Sequence, residues 1–276
     1  SADVQARMRE LGIDNESGLQ TYFVGRVATL ARERNRKLIG WDQFSNTGTP
    51  QQTIGMTMRG IDGALGLAAA GYDVVTSSDA LDFSRPQISM PGGEQAVLTQ
   101  DVYAIDPAPV ALGAEDLRHL MGVHATVWTE RARSEADVML MTYPRAAALA
   151  EIAWSPVSRQ RWADFASTLP VPMKRYARIG LSYDDAPYRV SITLRATDES
   201  RDRARVELSR QIPAGEIRYT TNGTEPTSKS PVYKDLLNLP VPVTIKAATF
   251  IDAEPLSSTT TFEITSGSIL SARTGK

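Results

Sequence analysis

Gly122-Val123-His124-Ala125-Thr126-Val127-Trp128-Thr129-Glu130 is an apolar run that ends in an indole and, two residues on, a carboxylate. In an extended strand that spacing puts both side chains on one face. Gly40-Trp41-Asp42 closes a second apolar run in the same manner. Aromatic and acidic side chains gathered where strands finish point to a parallel α/β barrel, which keeps its site at the C-terminal ends of its strands. A flat ring beside a carboxylate also suits a sugar. The ring packs on the C–H face, and the carboxylate accepts hydrogen bonds from hydroxyls.

On both sides of these runs, strand-like and helix-like segments alternate. Leu19, Tyr22, Phe23, Val27 and Leu30 recur at near-helical spacing and predict a helix over 17–37, with Ser17 as its cap. Residues 37–41, 53–58, 73–76 and 122–128 read as strands. Residues 62–71, rich in Ala and Leu and ending in Gly71, read as a helix. Residues 134–154 and 158–178 read as two more helices, with Ser158 capping the second. Between them, 77–114 carries Pro86, Pro91, Pro107 and Pro109 and has little periodicity. A loop of that length inside a compact domain is usually functional.

Repeated strand-then-helix units predict an α/β fold with a parallel sheet and helices outside it. Only about four such units are present, half of a (β/α)8 TIM barrel. Half a barrel leaves open sheet edges and cannot close its core alone. Around Gly180 the pattern changes. Val190, Ile192 and Leu194 alternate, and short strands follow at 203–208, 217–220, 243–250 and 258–264, with turn chemistry at Asn222-Gly223 and Pro240. These predict a small antiparallel β-sandwich. The expected domains are 1–178 and 179–276.

Bulk properties narrow the function. Of 276 residues, 42% are hydrophobic and 22% charged, as in ordinary globular proteins. The net charge of −2, with no Lys/Arg block, gives no support to a nucleic-acid or anionic-membrane partner. There is no cysteine, which excludes disulfides and thiolate metal sites and leaves the compartment open. No apolar stretch approaches the roughly 18 residues of a membrane span. Residues 1–10 lack the apolar region of a signal peptide and read like the interior of a helical segment, as if the chain began partway through a longer protein. The two histidines, His119 and His124, form no spaced pair with a carboxylate typical of zinc and adjoin no nucleophile elbow. By spacing, His124 shares the strand face of Trp128 and can reach the pocket, although a packed structural role is the expectation. Gly92-Gly93 lacks the spacing of a phosphate cradle. No metal or cofactor is expected.

Taken in order, several short motifs resemble glycoside hydrolase family 20, the β-N-acetylhexosaminidases, from the second half of the catalytic barrel onward. They are Leu19-Gln20-x-Tyr22-Phe23, Ile39-Gly40-Trp41-Asp42, Met58-Arg59-Gly60, Ala70-Gly71-Tyr72-Asp73-Val74-Val75, Val102-Tyr103-x-x-Asp106-Pro107, Trp128-x-Glu130 and Tyr143-Pro144-Arg145-x-x-x-Leu149-Ala150-Glu151-x-x-Trp154. The last is the most specific. Residues 188–264, around Tyr219-Thr220-Thr221-Asn222-Gly223-Thr224-Glu225-Pro226, resemble the small β domain that follows the barrel in many bacterial members.

The resemblance implies a retaining mechanism in which the substrate's own 2-acetamido oxygen is the nucleophile. An adjacent Asp-Glu pair does the protein's share: the Asp orients the acetamido group, and the Glu acts as acid and then base, which needs a raised pKa. In the family that pair sits in a His-x-Gly-Gly-Asp-Glu motif, which this sequence does not contain. It is expected upstream of residue 1, and the polypeptide that carries it, the N-terminal half of the barrel, is the expected partner. The adjacent acids Asp184-Asp185 and Glu115-Asp116 stand in the wrong places for it. The expected ligand is an N-acetylhexosamine-containing oligosaccharide. By position, Trp41 and Trp128 match aromatics around the acetamido group and ring, Glu130 matches an acid that holds hydroxyls, and Asp42 belongs to the family's Trp-Asp segment. Arg145, Glu151 and Trp154 match positions expected to be structural, through an ion pair and helix packing.

Three departures bear on activity. Members usually carry Trp where Met58 stands, and a thioether stacks less specifically on a sugar. They usually carry Tyr-x-Asp after the Val-Val strand. Here either Asp82 matches the acid and Ala80 replaces the Tyr, or Asp82 and Ser84 occupy the two positions. Losing one donor to a developing charge costs roughly 2.7–4 kcal/mol by analogy with oxyanion holes. Gln43 also stands where a Glu is common. A non-catalytic carbohydrate-binding module derived from the family is therefore the alternative reading.

Overall fold

The computed structural model describes residues 1–41, 52–88, 94–108, 113–195, 202–265 and 267. They form two compact units. One comprises Ser1–Arg85, Gln100–Arg131 and Ala148–Gln160; the other comprises Pro86–Thr99, Ala132–Ala147 and Arg161–Lys276.

The first unit is built on a four-stranded parallel sheet in the order β1 (Ile39–Trp41), β2 (Ile54–Thr57), β3 (Val74–Thr76), β4 (Leu120–Val123). Strands in sequence order, all parallel, form the kind of sheet that lines a (β/α) barrel. Helices α1 (Ala2–Leu11) and α2 (Glu16–Glu33) precede β1, and α3 (Gly60–Ala69) joins β2 to β3. Asn15, and not Ser17, caps α2: its side chain accepts the Gly18 N–H at 2.9 Å.

Alternation fixes the two faces of the sheet. A Cβ on Gly55 would lie 2.6 Å from Leu67 of α3, and one on Gly63 of α3 would lie 2.1 Å from the Thr57 hydroxyl. Val74 clusters with Ala64 and Leu67, and the Thr76 hydroxyl donates to the Gly60 carbonyl at 3.4 Å. Gly55, Thr57, Val74 and Thr76 thus face the helix. Met56, Met58, Val75 and Ser77 face the opposite, inner side. The register pairs Trp41 with Met56 and Val75 with Gly122, so Trp41 and His124 share that inner side.

Trp41 ends β1 and Trp128 lies in the segment after β4, the two outer strands, and their ring centroids are 6.0 Å apart, so the sheet turns its two edges toward each other at this end. Among the described residues each outer strand is paired on one side only. Phe23, Ile39, Met121 and Trp154 are exposed, Trp154 to 90%. The expected helix packing of Trp154 is therefore not found within the described residues.

The expected strand 122–128 ends early, at Val123. Beyond it the chain makes only an isolated parallel bridge between Thr126 and Asp82, and Glu130 lies in a single 3-10 turn, Thr129–Arg131. Trp128 and Glu130 thus do not share one strand. The long segment after β3 holds a 3-10 turn (Asp79–Leu81) and two short helices, α4 (Thr99–Tyr103) and α5 (Ala114–Leu117).

The expected helix over 134–154 is two, α6 (Glu135–Thr142) and α7 (Arg145–Trp154), broken at Tyr143-Pro144, where the proline lacks an N–H to continue the ladder. Ser134 caps α6 by accepting the Asp137 N–H. The helix over 158–178 is likewise α8 (Trp162–Thr168) and α9 (Pro170–Arg178), with Ser158 in a preceding 3-10 turn instead of at the cap.

In the second unit, Leu169 and Met173 around α8 and α9 pack with Tyr188, Ile212 and Leu256. Two antiparallel sheets follow. One has the order β5 (Ser191–Arg195), β6 (Arg203–Ser209), β8 (Leu237–Pro240). The other sets β9 (Val243–Ile251) between β11 (Thr260–Ile264) and β10 (Glu254–Pro255), with β7 (Glu216–Thr220) also paired to β9. Val206 and Leu208 of one sheet and Ile217, Ile245, Ala247 and Ile264 of the other share one core, so the two form a sandwich. Two strands escape the sequence reading. β8 was masked by Pro240, which is its last residue and pairs with Arg203, and β10 is too short to alternate.

Candidate functional site

The inner curve of the parallel sheet gathers the aromatic residues singled out above. Trp41 ends β1; its ring lies 6.0 Å from that of Trp128 at an interplanar angle of 35° and 5.6 Å from the His124 ring at 60°. Trp128 remains 40% exposed, so its indole presents a surface to a ligand. Tilted aromatic pairs at this distance hold each other in place.

The loop after β3 fixes the Trp128 backbone. The Trp128 N–H donates to the Ser84 hydroxyl at 2.5 Å, and that hydroxyl donates to the Trp128 carbonyl at 3.2 Å. Ser84 is itself held by the Asp82 carboxylate, which accepts its N–H at 3.0 Å. Backbone bonds continue the seam: Phe83 N–H to the Thr126 carbonyl at 2.8 Å and Thr126 N–H to the Leu81 carbonyl at 2.9 Å. Asp82 thus organises the turn that places Trp128. Sequence reading reached Ser84 only as an alternative acid position. Its grip on Trp128, 44 residues away, had no local signal.

Replacing Ser84 with Ala removes this pin. We expect affinity for a ligand that packs on the Trp128 ring to fall about three- to tenfold, the effect of one lost hydrogen bond, read by tryptophan fluorescence titration. Unchanged affinity would show that the pin does not matter to the site.

The Glu130 carboxylate is exposed and makes no hydrogen bond or ion pair with the described residues. It is available to a ligand. Met58 is half-buried on the inner side, one residue past β2. Asp42 and Gln43 lie outside the described residues, as do Gly92 and Gly93. His124 is better placed than the sequence suggested. Both its ring nitrogens are buried and find no partner among the described residues. Burial pushes the imidazole below its ordinary pKa, so it is neutral near pH 7. His119 stands apart, just before β4, 3.4 Å from Asp73, which just precedes β3. No group of three or more His, Asp or Glu among the described residues is arranged to hold a metal.

Arg145 is fully buried. Its guanidinium donates to the Val97 carbonyl at 3.2 Å and to the Met141 carbonyl at 2.5 Å. Glu151 accepts from the Ser155 hydroxyl at 3.0 Å. Asp184 and Asp185 pair with Arg189, which gives these adjacent acids a structural use.

Residues 1–157 match the family description "Glycosyl hydrolase family 20, catalytic domain", and residues 196–261 match "Chitobiase/beta-hexosaminidase C-terminal domain". A beta-hexosaminidase of Porphyromonas gingivalis is 30% identical over 240 residues, 83% of this chain and 30% of that protein. A beta-N-acetylhexosaminidase of Cellulomonas fimi is 28% identical over 173 residues, 60% of this chain and 35% of that protein. Among solved structures, a Vibrio harveyi GH20 exo beta-N-acetylglucosaminidase in complex with N-acetylglucosamine superposes with a TM-score of 0.59 at 20% identity, over 65% of this chain and 29% of that one. A Flavobacterium johnsoniae chitobiase gives 0.53 at 26% identity, over 64% and 27%. At 20% identity the likeness speaks for the fold alone. The chain spans about a third of the length of these two curated relatives.

Proposed function

Because the chain belongs to glycosyl hydrolase family 20, we propose that it supplies one wall of the sugar pocket of a β-N-acetylhexosaminidase. The whole enzyme removes terminal β-linked N-acetylglucosamine or N-acetylgalactosamine from oligosaccharides. The observation that carries this reading is the Trp41–Trp128 pair, 6.0 Å apart at the C-terminal ends of the two outer strands. Substrate contacts come from Trp41, Trp128, Glu130, Asp82, Asp42 and Met58. The indoles pack on apolar ring faces and around the acetamido methyl, and Glu130 accepts hydroxyl hydrogen bonds.

The acid and the oxazolinium-orienting carboxylate come from the Asp-Glu pair of the other half of the barrel, and the acetamido oxygen is the nucleophile. Strands β1 and β4, each paired on one side only among the described residues, are suited to receive that half. In the assembled enzyme, Glu130→Ala is expected to raise KM for an aryl N-acetyl-β-glucosaminide by about 10- to 100-fold, the effect of losing a charged hydrogen bond, with a smaller change in kcat. Kinetics unchanged from the parent enzyme would rule out Glu130 as a sugar contact.

One observation favours a second reading, a binding module without turnover. By either alignment, Ala80 or Asp82 stands where a phenol would stabilise the oxazolinium ion, while Asp82 and Ser84 are engaged with the turn at Trp128. Saturable N-acetylglucosamine binding with no turnover by the assembled barrel would establish it.

A further inference from the structure

Three polar side chains near the aromatic pair have no hydrogen-bond partner among the described residues. The Ser77 hydroxyl, both ring nitrogens of His124 and the Thr126 hydroxyl are all buried. Ser77 as a whole is 1% exposed. Their common placement follows from the sheet. Ser77 continues β3 on the inner side, and one further step of the β3–β4 register sets it beside His124, about 4.8 Å away strand to strand. The His124 N–H donates to the Thr76 carbonyl at 2.9 Å, which holds that step. Thr126 is two residues on in a chain kept extended by its bridge to Asp82, so it shares the His124 face. The His124 ring in turn lies against Trp41.

A buried hydroxyl or imidazole without a hydrogen bond is costly, and folded proteins leave few of them. Three adjoining on the concave side of a curled sheet, next to an exposed indole, indicate a surface whose hydrogen bonds are completed by a ligand. The groups are uncharged: two hydroxyls that donate and accept, and a neutral imidazole that offers one donor and one acceptor. They match an uncharged hydroxyl or amide, which, like them, both donates and accepts.

We propose that Ser77, His124 and Thr126 form a polar floor between the indole walls, which hydrogen-bonds an uncharged hydroxyl or amide group of the bound N-acetylhexosamine. This rests on the sugar-pocket reading above and adds three ligand-contacting residues to it. His124 is the central contact, because its rigid ring is already oriented by Trp41.

Having two histidines makes the test direct. The side-chain ring nitrogens of the 15N-labelled chain, assembled with an unlabelled polypeptide that supplies the other half of the barrel, are followed by NMR while N-acetylglucosamine is added to millimolar concentration, with tryptophan fluorescence recorded on the same samples. The His124 nitrogens are expected to shift along the same saturation curve as the fluorescence, and those of His119 to stay fixed. His124→Phe keeps a ring without nitrogens and is expected to weaken binding about tenfold, while His124→Gln restores it to within about threefold of the parent. Thr126→Val and Ser77→Ala are each expected to weaken binding about three- to tenfold without lowering the thermal midpoint, because each removes a buried polar group that the fold itself does not satisfy. A fluorescence response with unmoved His124 nitrogens overturns the floor and leaves the sugar pocket standing. Loss of stability in Thr126→Val with sugar affinity unchanged also overturns it. No response in either signal overturns both the floor and the pocket.

Discussion

Assayed alone, the 276-residue chain is expected to release no nitrophenol from an aryl N-acetyl-β-glucosaminide. Combined with a family 20 polypeptide that carries the Asp-Glu pair, it is expected to turn over. Of the contact residues proposed above, none among the described residues is placed to protonate a leaving group. Trp41 and Trp128 hold no transferable proton, Asp82 is committed to the turn at Ser84, and Glu130 lies in an exposed 3-10 turn. A carboxyl that serves as general acid sits in a buried, water-excluded setting, which the exposed turn at Glu130 does not provide. With the general acid on the other half of the barrel, as proposed above, its absence alone is expected to cost about 10²–10⁴ in rate. Turnover by the isolated chain that disappears in Glu130→Gln would sink this view and make Glu130 the acid. Native mass spectrometry of the purified sample reports independently whether a second polypeptide travels with the chain.

Arg145→Met is expected to destabilise the second unit by about 3–5 kcal/mol, the cost of breaking a buried, charged hydrogen-bonding network. The guanidinium is fully buried and reaches the Val97 carbonyl and the last turn of α6 at Met141, so one side chain ties the 86–99 segment to the break between α6 and α7. Its charge also holds down the pKa of Asp184, which burial, the larger effect, raises. Methionine fills the volume but leaves both carbonyls without their donors. Lysine restores a charge but not the planar fork, and is expected to recover less than half of the loss. Urea unfolding followed by far-ultraviolet circular dichroism measures both variants. A change below about 1 kcal/mol for Arg145→Met, the range of an ordinary surface substitution, would show that other contacts carry that joint.

The sequence by itself determined the order of elements and the kind of protein. Alternating strand and helix patterns, then period-two runs separated by turns, predicted a parallel half-barrel and a sandwich, and both are present. Short-range periodicity is written into the chain, because burying one face of a helix or strand demands apolar residues at fixed spacings. The ordered motifs ending in Trp128-x-Glu130 likewise led to the family that the comparisons support. Element ends were less well determined. Asn15 takes the cap expected at Ser17, and the strand expected to run through Trp128 stops at Val123, because its neighbour β3 stops at Thr76 and leaves little to pair with. A strand's length depends on its partner, which no local pattern records.

Tertiary structure alone decided what stands beside what. Ser84 pins Trp128, Trp41 crosses a curled sheet to meet it, and Arg145 reaches Val97. These contacts join residues 44, 87 and 48 positions apart, and their geometry depends on the curl of the sheet and the path of its loops. Ser77, His124 and Thr126 carried no motif. Only folding, by burying their polar atoms on the inner face and leaving them without partners among the described residues, marked them as a surface for a ligand.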